Sequence, residues 1–237
     1  MRDAPPVDRG AAPAPHRRVT RHALADLEAF VRAQTRPAPV PLVPEVVTWQ
    51  ATELTPLWHA TSVELGRYDA SPFWAFPWAG GQALARHVLD HPEVVRGRRV
   101  LDFATGSGLV AIAACLAGAA EVVGTDLSPF CEVVFPMNAA LNQVKAEIRI
   151  EDLLGTSAEG FEVVLAGDVF YEKPLAERSL AWFRTLAARG ITVLVGDPGR
   201  LYSPREGVID LATFEVPVSL EIEERTPMRS WVLEVLP

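Results

Sequence analysis

The stretch Val100-Leu-Asp-Phe-Ala-Thr-Gly-Ser-Gly108 decides the fold. A short apolar, β-branched run passes directly into a turn with two glycines, and the turn opens a helix that Gly118 closes. From Val100 onward the same alternation continues, with RRVLDFA, AEVVGTD, AEIRIED, FEVVLAGD and ITVLVGD reading as strands separated by helical segments. Such βαβ alternation predicts a doubly wound α/β domain with a parallel sheet. FEVPVSLEIE and SWVLEVLP add an antiparallel pair at the sheet end, for seven strands in all. Each of the five parallel strands ends in or near an acidic residue. Ligands bind outside the carboxyl ends of strands in open parallel sheets, so Asp102, Asp126, Asp152, Asp168 and Asp197 are expected to share one rim.

The helices between the strands carry their own signals. Ser128 and Pro129 open the second, Pro136 lies inside it and should kink it, and Gly190 ends the one bearing Leu175, Trp182, Phe183 and Leu186.

The glycine turn reads as an adenosine site. Gly106 and Gly108 allow a ligand close to the backbone, and Asp126, 20 residues after Gly106, is placed to accept from two ribose hydroxyls. A dinucleotide enzyme would need GxGxxG so that a helix N-terminus could hold pyrophosphate. Here Asp102 begins the turn and Ala104 replaces the first glycine. That carboxylate repels pyrophosphate but attracts the ammonium of a methionine moiety, directly or through water, which favours S-adenosylmethionine. The bland alternative is a turn serving helix and strand packing alone. Asp152 is positioned to reach the adenine amino group, with backbone N–H groups near Leu153 for a ring nitrogen.

Just upstream, PFWAFPWAGG gathers Phe73, Trp74, Phe76 and Trp78. Aromatics there could face a sulfonium by cation–π attraction, or most could be core anchors; Trp78 is the one expected to touch the cofactor. After the fourth strand, Gly167-Asp168-Val-Phe-Tyr171-Glu172 stands where a methyl acceptor belongs. A lysine amine has a pKa near 10.4, so only about one in a few thousand is neutral at pH 7, and an ammonium has no lone pair. Asp168 can accept a hydrogen bond from the amine, and Tyr171 can supply a hydroxyl or a wall. Transfer then depends on holding nitrogen roughly 3–3.5 Å from the methyl carbon with water excluded. The alternative has Asp168 capping a loop and Tyr171 as a buried wall.

Composition narrows the partners. Hydrophobic residues make up 49% of the chain and charged ones 22%, which excludes global disorder. The net charge is −8, and residues 1–20 carry +2, leaving −10 on the remainder. A surface of that sign repels phosphate backbones and suits a lysine-bearing protein, although it can equally serve solubility. Neither nucleic acid nor a membrane is expected as a partner. No apolar run reaches the roughly 18 residues that span a bilayer, and the start lacks a signal peptide's apolar core, so a cytoplasmic protein is expected. Cys115 and Cys131 lie in apolar, helix-like stretches without a CxxC or histidine pair, and no metal site is expected.

Residues 1–19, rich in Pro, Ala and Arg, read as a flexible tail. Leu24, Leu27, Val31 and Gln34 follow helical spacing from Thr20 to before Pro37, and 40–65 holds proline-broken β-like runs such as EVVTWQ, suggesting a hairpin or cover segment. The expected organisation is thus a tail (1–19), a helix and cover segment (20–70) and a catalytic domain (71–237).

The residues from about Ser71 to Arg200 resemble the seven-stranded methyltransferases that modify lysines of the electron-transfer flavoprotein β subunit. The resemblance runs through PFWAFPWAGGQALARHVLDHPEVVRGRRVLDFATGSG, GDVFYEKPLA and VLVGDPGR, and its more specific parts are the aromatic stretch, Asp168 with Tyr171, and Gly196-Asp-Pro-Gly-Arg200. It implies a protein-lysine N-methyltransferase using S-adenosylmethionine, with Trp78, Asp102, Gly106, Asp126, Leu153 and Gly167 around the cofactor and Asp168 with Tyr171 at the lysine. Ala104 departs from the family's usual glycine, which is harmless if its φ is negative. The alternatives are a methyltransferase for a ribosomal protein or a small-molecule amine, distinguished by an open or lidded acceptor pocket, and a non-catalytic S-adenosylmethionine-binding module.

Overall fold

The computed structural model describes residues 21–51, 53–65, 71–219 and 226–237. The tail expected over 1–19 lies outside the described residues, as do 220–223 of the expected strand FEVPVSLEIE. Helix α1 (Arg21–Gln34) turns Leu27 and Val31 into a cluster with Trp74, Phe130 and Val134. The chain then makes an antiparallel hairpin of β1 (Arg36–Val40) and β2 (Val43–Gln50). Pro37 and Pro39 lack the N–H a central strand must donate, which suits β1 to an edge of this two-stranded sheet.

Residues after the hairpin depart from the β-like reading of 40–65: α2 (Leu54–Leu65) is a helix. Pro56 falls in its first turn, where no intrahelical N–H is needed, and Leu57 and Thr61, four apart, are buried on one face.

Helix α3 (Ala79–Asp90) leads into the main sheet. There follow β3 (Arg99–Phe103), α4 (Leu109–Leu116), β4 (Glu121–Asp126), α5 (Cys131–Leu141), β5 (Glu147–Ile150), β6 (Val163–Gly167), α6 (Lys173–Ala187), β7 (Thr192–Asp197), β8 (Val208–Val216) and β9 (Met228–Val235). The sheet order is β5-β4-β3-β6-β7-β9-β8, parallel throughout β3 to β7, with β9 antiparallel to both β7 and β8. This is the expected seven-stranded, doubly wound architecture. Alternation along each strand builds the two layers: Val100, Leu165 and Leu194 pack with Leu84 and Ile112 of α3 and α4, while Leu101, Val164 and Val193 pack with Phe183 and Leu186 of α6. Leu109 to Ala114 of α4 are all buried, which is why that helix is apolar all round.

The last antiparallel pair forms, but β8 starts at Val208, not at Phe214, and ends before Pro217. Its register with β9 is interrupted between Asp210 and Ala212, and Ile209 and Leu211 remain exposed on the sheet edge. Two-sided burial was therefore no guide to this strand.

Two features tie the sheet to what surrounds the cleft. Asn138 of α5, fully buried, accepts from Trp49 N–H at 2.7 Å and donates to the Ser107 carbonyl at 2.7 Å, joining the hairpin, α5 and the glycine turn. Helix α3 presses its first turn onto β6 and β7: a Cβ on Gly80 would lie 2.3 Å from the Gly196 carbonyl oxygen, and one on Gly167 2.8 Å from the Gly81 Cα. Only hydrogen fits in that seam.

Candidate active site

Where the strand order turns back between β3 and β6, the carboxyl ends of β3, β4 and β6 border a cleft of about 510 Å³. Its size lies within the range of small-molecule sites. Trp78, Asp102, Ala104, Gly106, Asp126, Asp152, Gly167, Asp168 and Tyr171 line it. Gly108 and Leu153 do not. The φ of Gly108 is 81°, and a Cβ there would meet the Phe135 ring at 2.7 Å, so this glycine seats α5 against the turn. Leu153 packs instead against the α6 face of the core.

Every strand-end aspartate already carries backbone N–H groups. Asp102 is 1% exposed, and its Oδ2 accepts from the Thr105 hydroxyl at 2.5 Å and from Ala111 N–H, in the first turn of α4, at 3.0 Å. Burial, with Asp126 nearby, pushes its carboxyl up to about 7 against those two hydrogen bonds. Asp102 thus braces the turn and caps α4, a role beyond the expected attraction of an ammonium.

Asp126 spans two loops. Its Oδ2 accepts from Gly106 N–H at 3.0 Å, and its Oδ1 from Leu127 and Ser128 N–H at 2.8 and 2.9 Å. A carboxylate has about four lone-pair sites, so one on Oδ2 remains for a ribose hydroxyl. Asp152 accepts from Leu154 N–H at 2.9 Å and lies 3.9 Å from Arg178, both at the exposed rim.

Asp197 departs from the expected rim. It is 1% exposed and is absent from the cleft lining; its Oδ1 accepts from Gly199 and Arg200 N–H, each at 2.8 Å, and from the Ser203 hydroxyl. The carboxylate has turned back to fold its own loop.

Ala104 has φ 55°, so the condition for a harmless replacement of glycine fails. Left-handed backbone at a residue with a Cβ costs about 1–2 kcal/mol, offset in part by the greater chain entropy glycine loses on folding. Ala104→Gly is expected to raise the unfolding free energy by about 0.5–1 kcal/mol, seen as a melting temperature higher by roughly 1–4 °C in a thermal scan. An unchanged or lower value would mean that this turn relaxes around the methyl group.

The aromatic stretch divides. Trp74 and Phe76 are 1% and 2% exposed, with Trp74 stacked on Phe130 at 4.9 Å. Phe73 and Trp78 stand half-buried and edge-on at 5.5 Å, with Tyr171 edge-on to Phe73 at 5.3 Å. Trp78 is held by its indole N–H, which donates to the Phe73 carbonyl at 2.9 Å.

Asp168 follows β6 on the wall of the cleft. Its backbone is left-handed, φ 56°, which asparagine and aspartate tolerate better than most residues. Oδ2 accepts from Gly81 N–H, in the first turn of α3, at 2.8 Å, and Oδ1 accepts from Arg200 Nη2 at 2.9 Å. Burial, together with Asp197, pushes this carboxyl up to about 7, while Arg200 and the Gly81 amide pull the other way. The Tyr171 phenol is pushed up to about 12, mainly by burial, and stays protonated at neutral pH. Arg200 was quoted in the sequence only as part of a motif. Nothing in its spacing signals that it reaches the Asp168 carboxylate, because the two sit on loops after different strands. Among the described residues no group of three or more His, Cys, Asp or Glu is gathered to hold a metal ion.

Known proteins match this chain in the same region. The family of ribosomal protein L11 methyltransferase (PrmA) matches residues 83–170, the glycine turn and the strands around it. The electron transfer flavoprotein beta subunit lysine methyltransferase of Xenopus laevis is 38% identical over 73% of this chain and 70% of its own length, and that of Homo sapiens 40% identical over 55% of this chain and 51% of its own. The chain thus spans about half of the human relative and somewhat over two thirds of the frog one. In fold, a Pyrococcus horikoshii structure described as that of a candidate RNA methyltransferase superposes with a TM-score of 0.51 at 15% identity, covering 76% of this chain and 98% of that one. With the parallel sheet, the glycine turn and Asp126 on one cleft, and with that extent of identity to the frog enzyme, the chain belongs to the electron transfer flavoprotein beta subunit lysine methyltransferase family.

Proposed function

We propose that the protein transfers methyl groups from S-adenosylmethionine to lysine side chains of the electron-transfer flavoprotein β subunit. The observation that carries this reading is that the glycine turn, Asp126, Asp168 and Tyr171 line one cleft. The names of the relatives supply the substrate. The residues present fit the cofactor: Asp126 keeps a free acceptor site beside Gly106, and the apolar walls of the cleft suit an adenine ring. Bound S-adenosylmethionine supplies a methyl group made electrophilic by its sulfonium. The chain's own residues do the rest. Asp168, 9% exposed and anchored by the α3 amide, is a fixed acceptor for an amine hydrogen. With its phenol raised to about 12, Tyr171 can only share a hydrogen bond or wall the amine, since it holds no charge to act as a base. Phe73 and Trp78 keep water from the acceptor site. A cytoplasmic location belongs to the same proposal, as does a substrate of protein and not nucleic acid.

The deciding experiment mixes the purified protein, labelled S-adenosylmethionine and purified electron-transfer flavoprotein β subunit, with mass spectrometry of the product. Label on lysine is the expected result. Label that appears only on another protein of a lysate would move the substrate, and none on any protein would favour a binding module.

A further inference from the structure

The acceptor part of the cleft already holds a cation, and it is the protein's own. Arg200 Nη2 donates to Asp168 Oδ1 at 2.9 Å, and its guanidinium carbon lies 5.9 Å from the centroid of the Trp78 ring. A carboxylate beside an aromatic face is the pairing that binds an ammonium ion. With Asp168 Oδ2 committed to the Gly81 amide and the side chain 9% exposed, no broad approach to this carboxylate stays open while the guanidinium covers it. The backbone of Arg200 is pinned at the root of its loop by Asp197, which accepts from its N–H at 2.8 Å. Rotations along the side chain can therefore swing the guanidinium away without shifting the loop. The next residues, Leu201 and Tyr202, are 83% and 36% exposed and mark the side from which a protein partner would arrive.

We propose that the Arg200 guanidinium is a resident stand-in for the acceptor ammonium and leaves its seat between Asp168 and Trp78 when a lysine enters. The proposal rests on the methyl-transfer reading of the cleft. Exchange of one cation for another keeps the shielded carboxylate balanced throughout, and it admits lysine while refusing neutral and acidic side chains. Among the described residues, the charged groups acting on that carboxylate are Arg200 and Asp197, with the Gly81 amide from α3.

The test is calorimetric and needs no methyl transfer. Butylammonium, which copies the lysine stem and head, is titrated into the full chain and into Arg200→Ala, with guanidinium ion as a second probe. Binding of both probes by Arg200→Ala, mutual competition between them, binding about 3–10-fold weaker by the parent, and none by the Arg200→Ala, Asp168→Asn double variant is the expected result. In turnover, the variant's KM for the acceptor protein should fall by about 3–10-fold, because the seat no longer has to be vacated. Guanidinium ion should inhibit the variant competitively against the acceptor. Absence of butylammonium binding by the variant would overturn the proposal, as would a raised KM, which is the behaviour of an arginine that clamps the carboxylate permanently. Should Arg200→Ala not fold, Arg200→Gln fills similar space without charge and carries the same titrations. Cation binding without methylation of any lysine would sink the methyl-transfer reading and leave the seat standing; methylation without cation binding would do the reverse.

Discussion

Asp168→Asn is expected to lower kcat/KM for methyl transfer by about 10²–10⁴-fold while leaving S-adenosylhomocysteine affinity nearly unchanged. Asparagine keeps the shape and one carbonyl oxygen, so the Gly81 amide of α3 retains its acceptor and the helix stays seated. What is lost is the charge, and the other oxygen becomes an NH₂ that cannot accept from a guanidinium or an amine. In the parent, burial pushes the Asp168 carboxyl up to about 7, so the acceptor form is depleted as pH falls through that value. Activity should drop about tenfold per unit below it. Asp102 has a carboxyl raised to a similar value, and a pH profile of the parent alone therefore does not assign the limb. The residual activity of Asp168→Asn does: the limb should be absent from it. Parental turnover in this variant would remove Asp168 from the reaction.

Asp126→Ala is expected to weaken S-adenosylhomocysteine binding by at least about 10–10²-fold, measured by calorimetric titration. The one ribose hydroxyl that Asp126 Oδ2 can still accept from contributes about 1.5–3 kcal/mol, and every 1.4 kcal/mol is tenfold in Kd. The substitution also releases the N–H groups of Gly106, Leu127 and Ser128, so the glycine turn and the loop after β4 both lose their shared tether. An unaltered Kd would show that the ribose sits elsewhere in the cleft.

These two variants probe positions that were legible before any coordinates, and the reason is periodicity. Strands such as VVLAG and TVLVGD are buried on both faces and read as unbroken apolar runs, so their ends, and the acids there, are marked sharply. Side-chain direction is another matter. Asp197 sits at a strand end like the others yet folds inward onto Gly199, Arg200 and Ser203, and no spacing distinguishes it from Asp126. The five acids share a cause that the alternation alone does not disclose: each accepts backbone N–H groups of a loop or helix start, and only what remains of its lone pairs can face a ligand. Helix α2 is hard to read from the sequence because LTPLWHATSVEL carries a proline and β-branched residues, which weaken a helical reading. The sign of φ at Ala104 stayed open in the sequence because backbone sign at a turn is a property of the closed loop. Arg200 escaped notice because its partner is 32 residues away.

The seam of bare backbone where α3 meets β6 and β7 bears on how such an enzyme could be given new acceptors. Gly80, Gly167 and Gly196 leave no room to reshape the floor beneath Asp168, since any added carbon there collides with main chain. Laboratory evolution toward other lysine-bearing targets should therefore enrich changes in the outward-facing Leu201 and Tyr202 and leave those three positions untouched.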